Sequence, residues 1–352
     1  MIKRRHLLGL STAIAAAQLL SPWRALANTG YALLAAGPDG GQISRWAAAC
    51  ALALGPGFPS TPNLQVQPTG GLDGVTGANK FDAFVVPDGS TAAIFPGATL
   101  LAWLTGDSRV HFDPTGWVGV MAGSNSGVLV VRFGPNGLGP NVTPTPQTIQ
   151  SGGALRLAMD QPQSNDLAAL LALNQMGVQT SPIFGLRGTD AKTKAFVAGE
   201  ADAVFLCGEG VPEDIAPLAA NGGVPVFCIG RMGDDGKLGA DPLFPTLPLT
   251  EAFGGISTVA DQPAYQAAAA AARLDFLITL PHLTDPSAEA LWAQAAATAI
   301  GTAALDAAAD ASSVRLLGAA GIAAELAQVS LLPHDQSALQ SFLQTRYGWR
   351  AS

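Results

Sequence analysis

Three stretches of the chain place polar side chains where one run of regular structure hands over to the next. Gly37-Pro-Asp-Gly-Gly-Gln42 follows the apolar run Tyr31–Ala36 and opens the helical pattern Gln42–Leu54. Asp39, Gly40, Gly41 and Gln42 thus stand at a helix N-terminus, where unpaired backbone N–H groups and the macrodipole favour an anion. The Gln42 amide could add a hydrogen bond to a carboxylate. Asp39 is at odds with an anion: it is either a turn former or cap, or, facing a cleft, it selects a ligand that also carries a donor or a cation. Asp160-Gln-Pro-Gln-Ser-Asn165 is a second such entry, between the strand-like run Ala154–Met159 and the helical run Asp166–Met176. Capping alone accounts for one or two of Asp160, Gln161, Ser164 and Asn165. Ser124, Asn125 and Ser126 form a polar turn between the runs Val118–Ala122 and Gly127–Arg132, read either as solvated or as part of a site. Arg187 is a loop cation that suits a carboxylate or, equally, the open surface.

Other chemistries find little support. Neither GxGxxG nor GxxxxGK[ST] occurs, so nothing marks a nucleotide, and no cofactor or metal is expected. Gly123-Ser-Asn-Ser-Gly127 has Asn where a G-x-S-x-G elbow needs its nucleophile. Beyond residue 27 the histidines are His111, His282 and His334, none in a metal-like pair. A Cys207 nucleophile with His282 as base is the remaining enzyme reading. Trp46, Trp103, Trp117, Trp292 and Trp349 read as core.

The first 27 residues read as an export signal. Lys3-Arg4-Arg5 is followed by the apolar run Leu7–Leu20 and by Ala25-Leu-Ala27, after which cleavage is expected. Arg4-Arg5 before Leu7-Leu8 matches the twin-arginine pattern, so a folded, periplasmic protein is expected. The 352 residues carry 18 basic and 26 acidic groups. Removing Lys3, Arg4, Arg5 and Arg24 leaves 14 basic against 26 acidic, a net charge near −12. That argues against nucleic acid and anionic membranes as partners, but not against a small anion held by the local field of one cleft. Three cysteines, Cys50, Cys207 and Cys228, leave at least one thiol free; Cys50 reads as packed, and a Cys207–Cys228 bridge stays open.

These groups must be positioned by a chain too long for one ordinary core. A first βα series begins at Tyr31–Ala36. A second begins at Ala154–Met159 and continues through Pro182–Phe184, a helix over 190–198, and buried strands at Ala203–Cys207 and Val224–Ile229. The Gly/Pro-rich stretch Gly134–Gly153 separates them. An alanine-rich helix (Tyr265–Arg273), a strand (Asp275–Leu280), one long helix (Ser287–Ala309) and a helical tail from Ser312 complete the chain. The alternation predicts an α/β protein of two lobes with a cleft at the carboxyl ends of the strands.

The order of motifs resembles the Bug-type periplasmic solute receptors of tripartite tricarboxylate transporters. The likeness rests on Gly40-Gly41-Gln-Ile-Ser-Arg45, Val66-Gln-Pro-Thr-Gly-Gly71, Pro87-Asp-Gly-Ser-Thr91, Phe112-Asp-Pro114, Arg187-Gly188, Gly199-Glu-Ala-Asp202 and Pro245-Thr-Leu-Pro-Leu-Thr-Glu251. It implies a type II periplasmic-binding fold, with two crossing strands near Gly127–Arg132 and Asp275–Leu280. Lobe 1 would comprise 28–130 and 276–352, and lobe 2 would comprise 131–275. It implies a monomeric receptor that closes on a small organic acid and serves membrane transporter subunits or a sensor. It also adds Ser90 to the ligand candidates and sets Ser124–Ser126 beside the ligand. An exported hydrolase-like enzyme and a non-transport binder of a cofactor or protein partner are the alternatives. The chain departs from the family at Gly41, where an Asp is usual, at Gly185-Leu186 for Pro-Tyr, at Met159–Gln163 for a Gly-Ser run, and at Cys207 for an acid.

Overall fold

The computed structural model describes residues 30–59, 64–133, 148–149, 153–253 and 262–349. The expected export signal and most of the 134–153 stretch lie outside the described residues.

The chain opens with β1 (Ala32–Ala35), whose four residues are all buried. A strand of small apolar residues covered on both faces is what a parallel, helix-flanked sheet requires. α1 (Gln42–Leu54) follows, burying Trp46, Cys50 and Leu54. Next come β2 (Gln65–Pro68), α2 (Val75–Phe84), β3 (Thr91–Phe95), α3 (Ala98–Thr105) and β4 (Val118–Ser124). β5 (Ser126–Arg132), β6 (Leu155–Ala158), α4 (Asp166–Gln175), β7 (Thr180–Ile183), α5 (Gly188–Val197), β8 (Ala203–Gly208), α6 (Val211–Ala219) and β9 (Gly223–Cys228) form a second series. A small ribbon, β10 (Arg231–Met232) with β11 (Leu238–Gly239), precedes α7 (Gln262–Arg273) and β12 (Leu274–Leu280). The chain ends with α8 (Pro286–Ala299), α9 (Ala303–Ala311), β13 (Arg315–Leu317), α10 (Ala319–Val329) and α11 (Pro333–Tyr347).

The strands form two main sheets. The first has the order β13-β4-β12-β3-β1-β2 and the second β7-β6-β8-β5-β9. In the first, β1 runs parallel to β2 and β3, while β12 runs antiparallel to β3 and β4. In the second, β6 is parallel to β7 and β8, and β5 is antiparallel to β8 and β9. Asn125 alone separates β4 in the first sheet from β5 in the second. The return is made by α7 and β12.

α7 explains how the two halves meet so closely. Its residues Ala267–Ala272 are buried on every side. Methyl-sized side chains let α3, α4, α10 and α11 approach its axis, so a helix apolar all round lies at the centre. One hydrophobic cluster therefore runs from Ala93 and Phe95 of the first sheet, through α7, to Leu157 and Phe205 of the second. Gly97 marks the tightest approach: a Cβ there would lie 2.1 Å from the Ala271 carbonyl oxygen and 2.5 Å from that of Leu274.

Two expectations need correction, and one open alternative is settled. The long helix expected over 287–309 is two helices, broken where Gly301 adopts φ 93°. The start of the expected helical tail is strand β13, entered through Ser313 at φ 55°, and it covers the edge that β4 would otherwise leave open. The Cys207–Cys228 bridge is absent, and all three thiols are free. β8 and β9 flank β5 on opposite sides, Cys207 pairing with Gly127 and Cys228 with Val128. Two strand spacings of ~4.8 Å exceed the ~7 Å Cα limit of a disulfide.

Candidate functional site

The carboxyl ends of the parallel strands of both sheets open onto one cleft, where ligands of open α/β sheets collect. Its larger part holds ≈1080 Å³. The turns after β2, β6 and β7 line it with Gly71–Asp73, Asp160–Asn165, Phe184–Gly185 and Arg187–Thr189; Lys192, Arg109 and Tyr347–Trp349 add to the wall. A deeper part of ≈370 Å³ is lined by Gln42, Arg45, Pro96–Ala98, Asn125, Glu209 and Asp275. The two parts share Leu72, Ala98, Asn165 and Cys207.

The entry to α4 is built around Asp166, which is fully buried. Its carboxylate accepts from the Asp160 backbone N–H at 3.0 Å and from Ser164 Oγ at 2.9 Å, and it forms an ion pair with Lys192. Ser164 and the Asp160 amide are therefore committed inside the protein. Gln161 is exposed on the cleft wall, and Asn165 lies on the same wall with its Oδ1 unpaired. Arg187 is exposed in the cleft and makes no ion pair among the described residues. At the facing rim, Arg109 reaches both Asp73 and Asp107 at 2.6 Å. Burial pulls the other way, but hydrogen bonds from Arg109 hold the Asp107 carboxyl below its usual range.

The crossing between the sheets is buried rather than solvated. Ser124, Asn125 and Ser126 are each 2 % exposed or less. Ser126 Oγ accepts from the Arg231 guanidinium at 2.8 Å. Of the three, only Asn125 lines the cleft; its backbone N–H donates to the Arg273 carbonyl at 2.8 Å.

Asn125 leads to the residue that sequence reasoning missed. Asp275 is the second residue of β12 and is 5 % exposed. Its Oδ1 accepts from Gln42 Nε2 at 2.8 Å and from Asn125 Nδ2 at 3.3 Å, while Oδ2 has no partner. Burial, with the nearby charge of Glu209, pushes its carboxyl up to about 6 against hydrogen bonding from Asn125, Gln42 and Trp46. Glu209 in turn takes Arg45 at 3.1 Å and the Trp46 indole N–H at 3.1 Å. Glu209 follows β8 of the second sheet, and Arg45 and Trp46 belong to α1 on the first, so these bonds span the cleft. The available signal was the single charge in the otherwise uncharged run Leu274–Leu280. Lys192 gave no comparable signal, since it reads as an ordinary surface residue of α5.

The remaining predicted residues fall elsewhere. Asp39 and Gly40 are exposed, and neither they nor Gly41 line either part of the cleft. The Gly41 N–H is taken by the Pro38 carbonyl at 3.1 Å. Ser90 stands at the start of β3, its N–H bonded to Asp88 at 2.8 Å. The cleft is at the other end of that five-residue strand, a span of ~17 Å at ~3.3 Å per residue.

A thiol nucleophile does not fit this geometry. Cys207 Sγ lies 3.1 Å from the Ala272 carbonyl as a donor, and burial pushes its thiol far above the ordinary range. His282 bonds to the Gly116 carbonyl, seven residues past Asp275 and beyond the far end of β12.

Comparison with solved structures identifies the fold. A TctC solute-binding protein from Polaromonas superposes with a TM-score of 0.67 at 15% identity, over 90% of this chain and 98% of that one. MatC from Rhodopseudomonas palustris, solved with malate, gives 0.53 at 15% identity over 89% and 98%. A second R. palustris protein, solved with adipate, gives 0.53 at 14% identity over 89% and 97%. The chain has the two-lobe α/β fold of these solute-binding proteins, in agreement with the resemblance read from its motifs. No family model matches the chain, and no curated protein matches it. Among the described residues no helix is long and apolar enough to cross a membrane.

Proposed function

We propose that the protein is an exported receptor that captures a small organic acid by closing two lobes around it. In this reading each lobe is built on one of the two sheets, with the crossings at Asn125 and at the start of β12, so Asp275 belongs to the first lobe. The receptor acts as a monomer and delivers its ligand to the membrane subunits of a tripartite tricarboxylate-type transporter or reports it to a sensor. The observation that carries the reading is the ≈1080 Å³ polar cleft between the two sheets, with Arg187 unpaired on its wall. A cleft of that size suits a small molecule, and Arg187 suits one of its carboxylates. Malate and adipate bound to proteins of the same fold support the ligand class. The hydrogen bonds from Arg45 and Trp46 to Glu209 support closure, because they join the lobes across the cleft and break when it opens.

The test is a melting screen of the purified protein against four- to six-carbon mono- and dicarboxylates and amino acids, with mass spectrometry of whatever co-purifies. A ligand at about one hundred times its Kd stabilises the folded state by ~2.7 kcal/mol and raises Tm by several degrees. A screen in which no small acid shifts Tm and nothing co-purifies overturns the reading.

A further inference from the structure

The deep end of the cleft has the wrong sign for a carboxylate. Asp275 presents Oδ2 without a partner on the wall of the ≈370 Å³ cavity, and the whole residue is 95 % buried. Both amides within reach, Gln42 and Asn125, are spent on its other oxygen. Arg45, the one cation lining this cavity, is committed to Glu209. Glu209 brings a second carboxylate to the same wall rather than a counter-charge. Asn165 adds another unpaired acceptor, its Oδ1, where the two parts of the cleft meet. A buried carboxylate without a counter-charge is costly, and it persists where a bound group supplies the missing charge. A ligand carboxylate placed here would meet the Asp275 charge and an unpaired carbonyl oxygen, the Glu209 charge being balanced by Arg45. A protonated amine would meet two open acceptors, Asp275 Oδ2 and Asn165 Oδ1. At the other end, Lys192 is neutralised by Asp166 and Arg187 is left unpaired, so the positive character of the cleft sits in the second lobe, away from Asp275.

We propose, resting on the receptor reading above, that the ligand is a zwitterion of the amino-acid class. Its carboxylate faces Arg187 and its ammonium group donates to Asp275 Oδ2 and Asn165 Oδ1. Selection is then by charge pattern along the cleft, with Asp275 rejecting dicarboxylates that would place their second anionic end against it.

Isothermal titration of the full protein at neutral pH tests this with matched linear ligands of four to six carbons. Each α-amino and ω-amino acid is compared with the monocarboxylate and dicarboxylate of the same length. One of the amino acids should bind tighter than both partners by about tenfold or more, the scale of one charge-assisted hydrogen bond. Asp275→Asn should abolish that preference and leave dicarboxylate binding equal or tighter. If dicarboxylates bind the unaltered protein as well as amino acids do, or if Asp275→Asn keeps the preference, the zwitterion proposal falls while the receptor reading stands. If none of the acids binds, both fall. The comparison on the unaltered protein needs no variant to fold.

Discussion

Asp275→Asn should make the protein more stable at neutral pH, and the gain should vanish in acid. The proton affinity of this carboxyl rises on folding, from 3.8 to about 6, because burial and the Glu209 charge outweigh hydrogen bonding from Asn125, Gln42 and Trp46. The folded state then binds the proton more tightly than the unfolded chain, so this group favours folding most below pH 4. Its contribution is lost as pH rises from about 4 to about 6 and stays lost above that. At 1.36 kcal/mol per pKa unit, the ionised Asp275 costs on the order of 3 kcal/mol at pH 7.5. Asparagine keeps an acceptor for Gln42 and Asn125 and removes the charge. An unfolding entropy of ~2.1 cal/mol/K per residue over ~325 residues is ~0.7 kcal/mol/K, so the gain is about 4 °C in Tm. The charged groups facing this position are Glu209 and, paired to it, Arg45; Glu209→Gln should therefore shrink the gain. The measurement is a set of calorimetric melts of both proteins without ligand, from pH 4 to pH 8. All other carboxylates are common to the pair, so the difference curve reports Asp275. A difference that is flat with pH, or an asparagine variant that melts lower at pH 7.5, would refute the reasoning.

Arg273→Met should lower Tm by about 5 °C, because it strips a buried, doubly bonded guanidinium (2.8 Å to each Glu325 oxygen) from a carboxylate with no exposure, a loss of ~3–5 kcal/mol. Adding Glu325→Leu should restore most of it in the same melts, and a double variant no better than the single one contradicts the account. A thiol-specific reagent should find the folded protein nearly inert and count three thiols in denaturant, since Cys50 and Cys228 are buried and Cys207 is hydrogen-bonded to Ala272; a count of one would mean a disulfide after all.

The fold was legible because its signals are local. Tyr31–Ala36, Ala154–Met159 and Ala203–Cys207 are apolar runs that end in polar turns, and such runs form buried strands in nearly any context. The errors came where one residue overrides a pattern. The alanines from Ser287 to Ala309 carry a continuous helical signal, and only the backbone of Gly301, at φ 93°, breaks it. Arg315–Leu317 pairs with β4 because that edge is open, a fact with no trace in its own three residues. The cysteines illustrate the same limit: the ends of two strand-like runs are visible in the sequence, but β5 lying between them is not.

The site was legible in its chemistry and not in its partners. The turns at Gln42, Ser164 and Ser126 were read as groups offered to a ligand, yet Gln42 is bonded to Asp275, Ser164 to Asp166 and Ser126 to Arg231. Each of these polar groups does find a complement, but one supplied by the chain itself. A buried polar group must be paired by something, and the sequence shows the group without showing which residue, 2 or 233 positions away, has already met the demand. What remains for a ligand is therefore defined by subtraction: among the described residues, Arg187, Asn165 Oδ1 and Asp275 Oδ2 are left over in the cleft, with Gln163 Oε1 and Trp349 Nε1 on the wall of its larger part. Gln42 shows how this reverses a conclusion. The Gln42 amide, expected to face a ligand carboxylate, donates instead to Asp275, and an internal anion there favours a cationic group over a second acid.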